Sequence, residues 1–376
     1  MIYFLFLITL LFNTTKPIEV EALSLQGSRP YQQDRYYVAA NKADQCLAAI
    51  FDGHGTYGDE VAEFLKNEAP AAFNAIVLEK PVIEKAFRAL NNKLYQLLGK
   101  DKTDESGATG LVVLQNKDHF FIAHCGDSRA VWGYKKIEQT VDHTASNPKE
   151  IERVGKKNVK TVHGVERLGG TLMVTRSFGD VALKKIGLSA TPEIAILSKS
   201  EYPYLLLGCD GVFDLTSGLS GSDQFDEQTD SFLWSMFQIA ANKNQALRRI
   251  MFQTVIAVML HEDEFEKGAI SAMYRDYTNN NVAHFPLYPL DRRFKTEKER
   301  QALLLVGILT NKFNDWTEQE LSAFVSKHQA MLHDNTTLVL IVDKTSMPQK
   351  EVVPPTVAKK SSWLKRIWNW QWPWSR

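Results

Sequence analysis

The chain has 376 residues, of which 44% are hydrophobic and 23% charged, as in an ordinary globular protein of one large domain or two. Its 44 basic and 44 acidic residues give a formal net charge of zero, which disfavours nucleic acid as a partner. Three scattered cysteines, Cys46, Cys125 and Cys209, exclude a disulfide framework. We expect buried thiols in a reducing intracellular compartment, the cytoplasm.

The N-terminal segment 1–17 contains the apolar run "MIYFLFLITLLF". About twelve residues are too few to span a bilayer, which needs about twenty. The run has the length of a signal-peptide core, and small residues at Val20–Ala22 suit a peptidase, so secretion is an alternative to the cytoplasm. No Lys or Arg precedes the run, and "EVEALSLQGSR" predicts a strand that cleavage would cut. An uncleaved anchor or a packed segment is therefore favoured.

A glycine-rich loop follows the predicted strand "CLAAIF" and precedes the predicted helix "DEVAEFLKN". Gly53, Gly55 and Gly58 have the G-x-G-x-x-G spacing of a dinucleotide-binding turn. Two features argue against that interpretation. Asp52 would point an anion at the pyrophosphate, and "EAPAAFNAIVLEK" predicts a helix where the motif needs a second strand ending in an acidic residue. The glycines more plausibly let the backbone approach a metal ion.

Aspartates stand at the ends of several short apolar runs that are typical of strands buried on both faces. Asp52, Asp127 and Asp210 follow such runs, and Asp334 precedes another. If these ends converge, the carboxylates repel one another unless cations lie between them. Oxygen ligands favour Mg²⁺ or Mn²⁺. The sequence therefore predicts a site for two or more hard divalent ions, which can activate water and bind a phosphoryl group.

An ordered series of motifs resembles the metal-dependent protein serine/threonine phosphatases of the PPM type, also called PP2C. The resemblance runs from about Glu19 to Ser217 and resumes from His333 to Asp343. In order, the motifs are "GSRPYQQDRY", "FDGHG", "SGATGLVVL", "AHCGDSRAV", "DHTASNPKEIERV", "GGTLMVTRSFGD", "TPEI", "LLLGCDGVFDL" and "HDNTTLVLIV". The implied fold is α+β: an antiparallel β-sandwich flanked by helices in α-β-β-α layers, with a mainly helical insertion.

The resemblance also implies residue roles. Arg29 matches the arginine that binds the substrate phosphate, and His54 the histidine that protonates the leaving alkoxide. A surface ion pair between Arg29 and Asp34 is the alternative for that arginine. The implied metal ligands are Asp52, which bridges two ions, the Gly53 carbonyl, Asp210, Asp334, and, for a weakly held third ion, Asp127 and Asp214. Residues expected to support the ligands or order a nearby loop are Asp34, Asp142, His143, Arg176 and Asp180.

The sequence departs from the family pattern at Gln33, where the family often has a glutamate for the second metal. An amide can ligate through its oxygen, but it brings one negative charge fewer, so we expect weaker binding of the second ion. A second departure is the longer link "TYGDE" after the glycine loop.

The resemblance divides the chain into the segment 1–17, a discontinuous phosphatase domain (18–221 and 331–345), a helical region (222–330), and a linker with a tail (346–376). The helical region is longer than the family needs, with the excess around 261–316, and its partner is unknown. A lid, a docking surface and plain elaboration stay open as its role. Thr317 and Glu320 have the spacing of a capping box that begins a helix.

The tail, residues 359–376, reads "KKSSWLKRIWNWQWPWSR" and interleaves tryptophans with basic residues. Tryptophan favours the membrane interface, and Lys and Arg attract anionic headgroups. Contact with a membrane surface is therefore expected, and docking on the protein itself or on a partner is the alternative. The tail is too short and too polar to span a bilayer.

These observations predict a Mn²⁺- or Mg²⁺-dependent phosphatase for phosphoserine and phosphothreonine proteins. In the expected mechanism, a water between two ions attacks phosphorus in line while Arg29 binds the phosphoryl oxygens and His54 protonates the departing oxygen. The rival hypothesis is a pseudophosphatase, a binding module for phosphoproteins or a partner at a membrane, with weak metal occupancy caused by Gln33.

Overall fold

The computed structural model describes residues 18–40, 46–133, 137–213, 251, 255, 317–328, 332 and 334–343. These residues fall into two compact units. The first contains the described residues up to Gly211 together with those from Asn335 onward, and the second contains the described residues from Val212 to Asp334. The predictions for the segment 1–17, Asp214, most of 222–330 and the tail lie outside the described residues.

Two five-stranded antiparallel sheets form the body of the first unit. The order across one sheet is β13 (Glu193–Ser198), β7 (His119–Cys125), β6 (Gly110–Gln115), β3 (Cys46–Phe51) and β2 (Arg35–Ala40). The order across the other is β1 (Ile18–Leu25), β15 (Thr336–Asp343), β14 (Tyr204–Gly208), β8 (Arg129–Gly133) and β9 (Ile137–Gln139). The two sheets contact each other where β1 meets β2 and where β15 meets β3.

The strand β3 is buried along its whole length, as its apolar sequence predicts. Its alternate residues Leu47, Ala49 and Phe51 belong to a core cluster shared with two helices. Because side chains of a strand alternate between faces, Ala48 and Ile50 point to the opposite face of the sheet. The strand is therefore packed on both sides up to Phe51, the residue before Asp52.

Two helices that contact each other pack against one face of this sheet: α1 (Gly58–Phe73) and α2 (Lys80–Leu98). Each has a buried stripe at helical spacing, formed in α1 by Val61, Leu65 and Ala69. In α2 the stripe is Ile83, Phe87, Leu90 and Leu94. The prediction of one helix across 68–80 is wrong in part, because α1 ends at Phe73 and α2 begins only at Lys80, with a proline in its first turn.

Shorter elements surround the end of the sheets. They are β4 (Gly53–His54), α3 (Lys100–Thr103), β5 (Gly107–Ala108), α4 (Pro148–Val154), β10 (Val159–Val162), β11 (Val165–Leu168), β12 (Phe178–Gly179) and α5 (Val181–Lys184). The strands β12, β5 and β4 form a small antiparallel sheet, and β10 pairs with β11 in a hairpin. The small sheet connects the glycine loop to the "TRSFGD" segment.

In the second unit, the helix α6 (Glu318–His328) begins at the predicted capping box. The Thr317 hydroxyl accepts the backbone N–H of Glu320 at 3.2 Å, and the Glu320 carboxylate accepts the backbone N–H of Thr317 at 2.6 Å. The box is therefore confirmed. No helix among the described residues is long and apolar enough to cross a membrane.

Several sequence predictions are confirmed in the first unit. The fold is α+β with antiparallel sheets and flanking helices. The stretch "EVEALSLQGSR" contributes the strand β1. Cys46, Cys125 and Cys209 are free and buried, as expected of structural thiols, and burial raises the pKa of the Cys46 and Cys125 thiols to about 12.

Candidate metal centre

The sheet topology brings the predicted aspartates to common ends of the strands. Both β3 and β7 run antiparallel to β6, so they run parallel to each other, and Asp52 and Asp127 leave the sheet at the same end. In the other sheet, Gly208 at the end of β14 pairs with Leu338 near the start of β15. The Cys209 N–H then donates to the Thr337 carbonyl at 3.0 Å. Asp210 therefore comes directly after a residue that is hydrogen-bonded to β15.

Asp34 lies at the centre of this arrangement. Ligand atoms of Asp34, Asp52 and Cys209 all lie within 4.8 Å of one another. Asp34 is only 2% exposed, and neither of its carboxylate oxygens has a hydrogen-bond partner among the described residues. Burial, with the nearby Asp210 charge, raises the pKa of Asp34 to about 7. The ionised form of this buried carboxyl is costly, and either a proton on the group or a cation beside it relieves that cost.

Asp52 is surrounded by like charges. Burial raises the pKa of Asp52 well above its usual range, and the carboxylates of Asp210, Asp34 and Asp127 raise it further. The Asp52 backbone is anchored to Thr109, whose hydroxyl accepts the Asp52 N–H at 3.1 Å and whose N–H donates to the Asp52 carbonyl at 2.9 Å. The donor set is oxygen-rich and crowded with negative charge, so it fits one or more hard divalent cations.

The glycine loop is shaped by close backbone approach. A Cβ on Gly53 would lie 2.3 Å from the Gly58 carbonyl oxygen and 2.8 Å from the Gln33 carbonyl oxygen. A Cβ on Gly58 would lie 2.6 Å from Nε2 of Gln33. No side chain fits at either position, so the loop folds tightly against the segment before β2. The role of these glycines at a metal site stays a prediction.

Gln33 is held beside this loop. Its Nε2 donates to the Gly55 carbonyl at 2.8 Å, and its backbone N–H donates to the Asn335 side-chain oxygen at 2.8 Å. The Gln33 side-chain amide therefore donates a hydrogen bond to the glycine loop. A glutamate at this position would have no N–H with which to do so. The role of the Gln33 side-chain oxygen as a neutral metal ligand stays a prediction.

His54 is paired with Asp180. The His54 Nε2 lies 2.8 Å from Oδ2 of Asp180, and the Ser177 hydroxyl donates to the same oxygen at 2.6 Å. Burial alone lowers the pKa of His54, but the charge of Asp180 and the hydrogen bond to it outweigh burial, so that the pKa is raised above its ordinary value. The His54 side chain is 25% exposed, which leaves the imidazole accessible.

Two other predicted supporting residues, Asp142 and Arg176, each lie in an ion-paired group. Asp142 accepts two hydrogen bonds from the Arg129 guanidinium, while burial raises the pKa of Asp142 to about 6. Arg176 is paired with Glu150, whose carboxylate also accepts Arg153 and the Thr175 hydroxyl. These bonds fix the start of the "TRSFGD" segment.

Arg29 is exposed in the turn between β1 and β2. Its surface pairing with Asp34 is wrong as an alternative, because both Asp34 oxygens are buried without a hydrogen-bond partner. Asp334 immediately precedes Asn335 in the chain and belongs to the second unit. Asp214 lies outside the described residues.

Sequence reasoning missed three partners at the site. It treated Cys209 as a buried thiol, and the structure places its sulfur with Asp34 and Asp52. It identified neither Ser177 nor Glu150 as partners of Asp180 and Arg176. Two signals in the sequence point to these last two partners. They are the S-x-x-D spacing of Ser177 and Asp180 and the position of Glu150 in the first turn of α4, and both are common by chance.

Comparisons with known proteins point to one family. A family model described as protein phosphatase 2C matches residues 27–231, more than half of the chain. A probable protein phosphatase 2C 72 from Arabidopsis thaliana is 31% identical over 250 residues, which cover 56% of this chain and 72% of the plant protein. Protein phosphatase 1L from Bos taurus is 29% identical over 224 residues, covering 54% of this chain and 61% of the bovine protein.

Solved structures show the same fold. A phosphatase from a pathogenic strain of Toxoplasma gondii aligns with a TM-score of 0.52 and 17% identity, over 87% of this chain and 92% of that one. A sex determining protein from C. elegans aligns with a TM-score of 0.51 over 88% of this chain and 65% of that one.

The family model and these relatives identify the class as protein phosphatases. The chain belongs to the protein phosphatase 2C family, whose members are metal-dependent protein serine/threonine phosphatases.

Proposed function

We propose that the protein hydrolyses phosphoserine and phosphothreonine in proteins at the carboxylate cluster around Asp52. The observation that carries this proposal is the convergence of Asp34 and Asp52 within 4.8 Å, with the charges of Asp210 and Asp127 close by. Bound cations would relieve the repulsion among these carboxylates, which supports a metal site here.

Two Mn²⁺ or Mg²⁺ ions would be held by Asp52, the Gly53 carbonyl, Asp210 and Asp334, with Gln33 as a neutral ligand. Asp127 and Asp214 are proposed for a third, weaker ion. When bound, such ions lower the pKa of a water nucleophile and neutralise charge on a transferring phosphoryl group. Since Gln33 supplies no charge, the second ion should bind more weakly than in relatives with a glutamate there.

The chain's own residues contribute binding and proton transfer. Arg29, exposed at the turn before β2, would bind the phosphate oxygens with its planar guanidinium fork. His54 would protonate the departing serine or threonine oxygen. Asp180 supports that role because its carboxylate stabilises the protonated imidazole and fixes the ring through Nε2.

The test is hydrolysis of a phosphothreonine peptide by the purified full chain over a range of Mn²⁺ and Mg²⁺ concentrations. We expect metal-dependent release of phosphate that is lost in Asp210→Ala and retained in the control Asp118→Asn, an exposed carboxylate on the β6–β7 turn. Wild-type protein without activity at any metal concentration would overturn the proposal. Calorimetric metal titration then separates it from the binding-module alternative, which predicts no tight site.

We also propose that residues 359–376 contact a membrane surface through their tryptophans and basic side chains. The proposal places the phosphatase in the cytoplasm with part of it at a membrane. Deleting the residues after Lys359 should reduce sedimentation with vesicles containing phosphatidylserine. Unchanged sedimentation would assign the tail to packing or to a protein partner. We also propose that residues 18–221 and 331–345 form the phosphatase domain and that the region 222–330 binds a partner, which is not identified.

A further inference from the structure

Two histidines and a glutamate form a second cluster of ligand atoms, separate from the aspartates. One ligand atom each of His124, His143 and Glu193 lies within 4.8 Å of the others. His124 and Glu193 are directly opposite each other on the neighbouring strands β7 and β13. His143 comes from the loop after β9, and its backbone is fixed by hydrogen bonds to Gly126 and Thr175.

Both histidines are buried, and both have an unused nitrogen. His124 is 2% exposed and His143 1% exposed, and the Nδ1 atom of each has no hydrogen-bond partner among the described residues. The two rings are stacked, with centroids 4.4 Å apart. A buried imidazole nitrogen without a partner is uncommon, because burial removes water without replacing its hydrogen bond.

The contact between His143 and Glu193 is made through Nε2 and not through the unpartnered Nδ1, and it is long for a hydrogen bond. The His143 Nε2 lies 3.4 Å from Oε2 of Glu193, longer than an ordinary N–H···O bond of about 2.7–3.2 Å. Two ligands of a tetrahedral zinc ion, each bonded at about 2.0–2.1 Å, stand about 3.4 Å apart. Glu193 is largely exposed, with 61% of its side chain accessible, so it gives an ion a path from solvent.

The charges around the cluster are compatible with a cation. Burial lowers the pKa of both histidines, so at neutral pH the rings are neutral and keep lone pairs. The positive charge of Arg176 acts on both rings, and Arg176 is already paired with Glu150 at 2.6 Å. The Glu193 carboxylate supplies the negative charge.

We propose that His124, His143 and Glu193 bind a transition-metal ion of the Zn²⁺ type. Two imidazoles and one carboxylate suit zinc, whereas the carboxylate-rich aspartate cluster suits Mg²⁺ or Mn²⁺. The bound ion links β7, β13 and the loop that carries Asp142, and its effect is to stabilise that edge of the sheet. This requires one histidine ring to turn out of the stack toward the carboxylate.

The experiment is calorimetric titration of the full chain with Zn²⁺ while the aspartate centre is saturated with Mg²⁺. We expect one Zn²⁺ per chain, a rise in the unfolding temperature, and imidazole scattering in the zinc X-ray absorption spectrum. Glu193→Gln should weaken binding about 10-fold or more, because it removes the anionic ligand at an exposed position. His124→Phe should abolish the site while keeping a flat ring at the stacking position.

Matched controls locate the ion. His119→Gln and Glu201→Gln change an exposed histidine and an exposed glutamate, and both should bind Zn²⁺ as the wild type does. Asp52→Asn should bind Zn²⁺ undiminished. Loss of binding in Asp52→Asn, full affinity in Glu193→Gln, or no binding above Mg²⁺ would each overturn the proposal. If His124→Phe fails to fold, the Glu193→Gln result and the absorption spectrum decide.

Discussion

His54 and Asp180 are joined by a 2.8 Å contact between Nε2 and Oδ2, although they are 126 positions apart in the chain. Asp180 adopts a left-handed backbone conformation, with φ of 46°, which is uncommon for a residue other than glycine. A Cβ on Gly107 would lie 2.1 Å from Asp180 Oδ2, so only glycine leaves room for the carboxylate. The strained backbone of Asp180 and the glycine at position 107 therefore both contribute to placing the Asp180 carboxylate beside His54.

Asp180→Asn is expected to lower kcat about 10- to 100-fold with little change in KM, because the amide no longer stabilises the protonated His54 ring. The measurement is steady-state hydrolysis of a phosphothreonine peptide at saturating Mn²⁺. In a His54→Ala background, the same substitution should cost no further activity. An additional loss in that background would show that Asp180 acts independently of His54. Ser177→Ala, which keeps the carboxylate, should have a smaller effect.

Gln33→Glu should tighten metal binding, because it adds a negative charge beside the glycine loop. We expect the Mn²⁺ concentration for half-maximal activity to fall about 10-fold. Without metal, the variant should melt at a lower temperature, since a carboxylate would face the Gly55 carbonyl in place of the present hydrogen-bond donor. Asn67→Asp adds the same charge on the helix α1, away from the loop, and should change neither value. An unchanged half-activating concentration would contradict the assignment of Gln33 to the metal site.

Asp34→Asn should stabilise the metal-free protein by about 1 kcal/mol, because it removes a buried, unpartnered carboxylate. The same variant should gain less stability from added Mn²⁺ than the wild type. Thermal unfolding in a chelator and in Mn²⁺ measures both effects. A variant that is less stable in chelator would mean that the Asp34 charge is satisfied by a group outside the described residues.

Glu150 should make the fold sensitive to acid. Burial alone would raise the pKa of Glu150, but the hydrogen bonds from Arg176, Arg153 and Thr175 outweigh burial and hold the pKa well below its ordinary value of 4.5. For a carboxyl group whose pKa is depressed in the folded state, the stabilisation is fully present above the unfolded pKa. It is lost as the pH falls from about 4.5 toward the folded pKa.

Glu150→Gln should therefore lower the free energy of unfolding at pH 7 by about 2–4 kcal/mol and flatten its dependence on pH below 4.5. Urea unfolding between pH 3 and pH 7 measures both effects. Glu152→Gln, two residues away and exposed, is the matched control and should behave like the wild type. If the free energy of unfolding changed with pH in the same way for Glu150→Gln and Glu152→Gln, the role given to Glu150 would be contradicted.

The strands and the candidate metal ligands can be predicted from the sequence more readily than the hydrogen-bond partners of the site residues. "CLAAIF" predicts a strand buried on both faces with Asp52 at its end, and the structure confirms the strand. Local patterns carry no information on contacts between distant segments. The pairing of His54 with Asp180 and the buried position of Asp34 depend on how the small sheet and the β1–β2 turn fold onto the strand ends. The break between α1 and α2 at Asn74 cannot be predicted from "AIVLEK", because this stretch favours helix and strand equally.

The first and last described strands depend on each other. β1 pairs with β15 along all eight of its residues, from Ile18 opposite Asp343 to Leu25 opposite Thr336. β15 also lies between β1 and β14, so that sheet is incomplete until the end of β15 has left the ribosome. Contacts across more than 300 positions form slowly. A chain interrupted before Thr336 would leave β1 and one edge of β14 unpaired, as open edges for aggregation or chaperone binding.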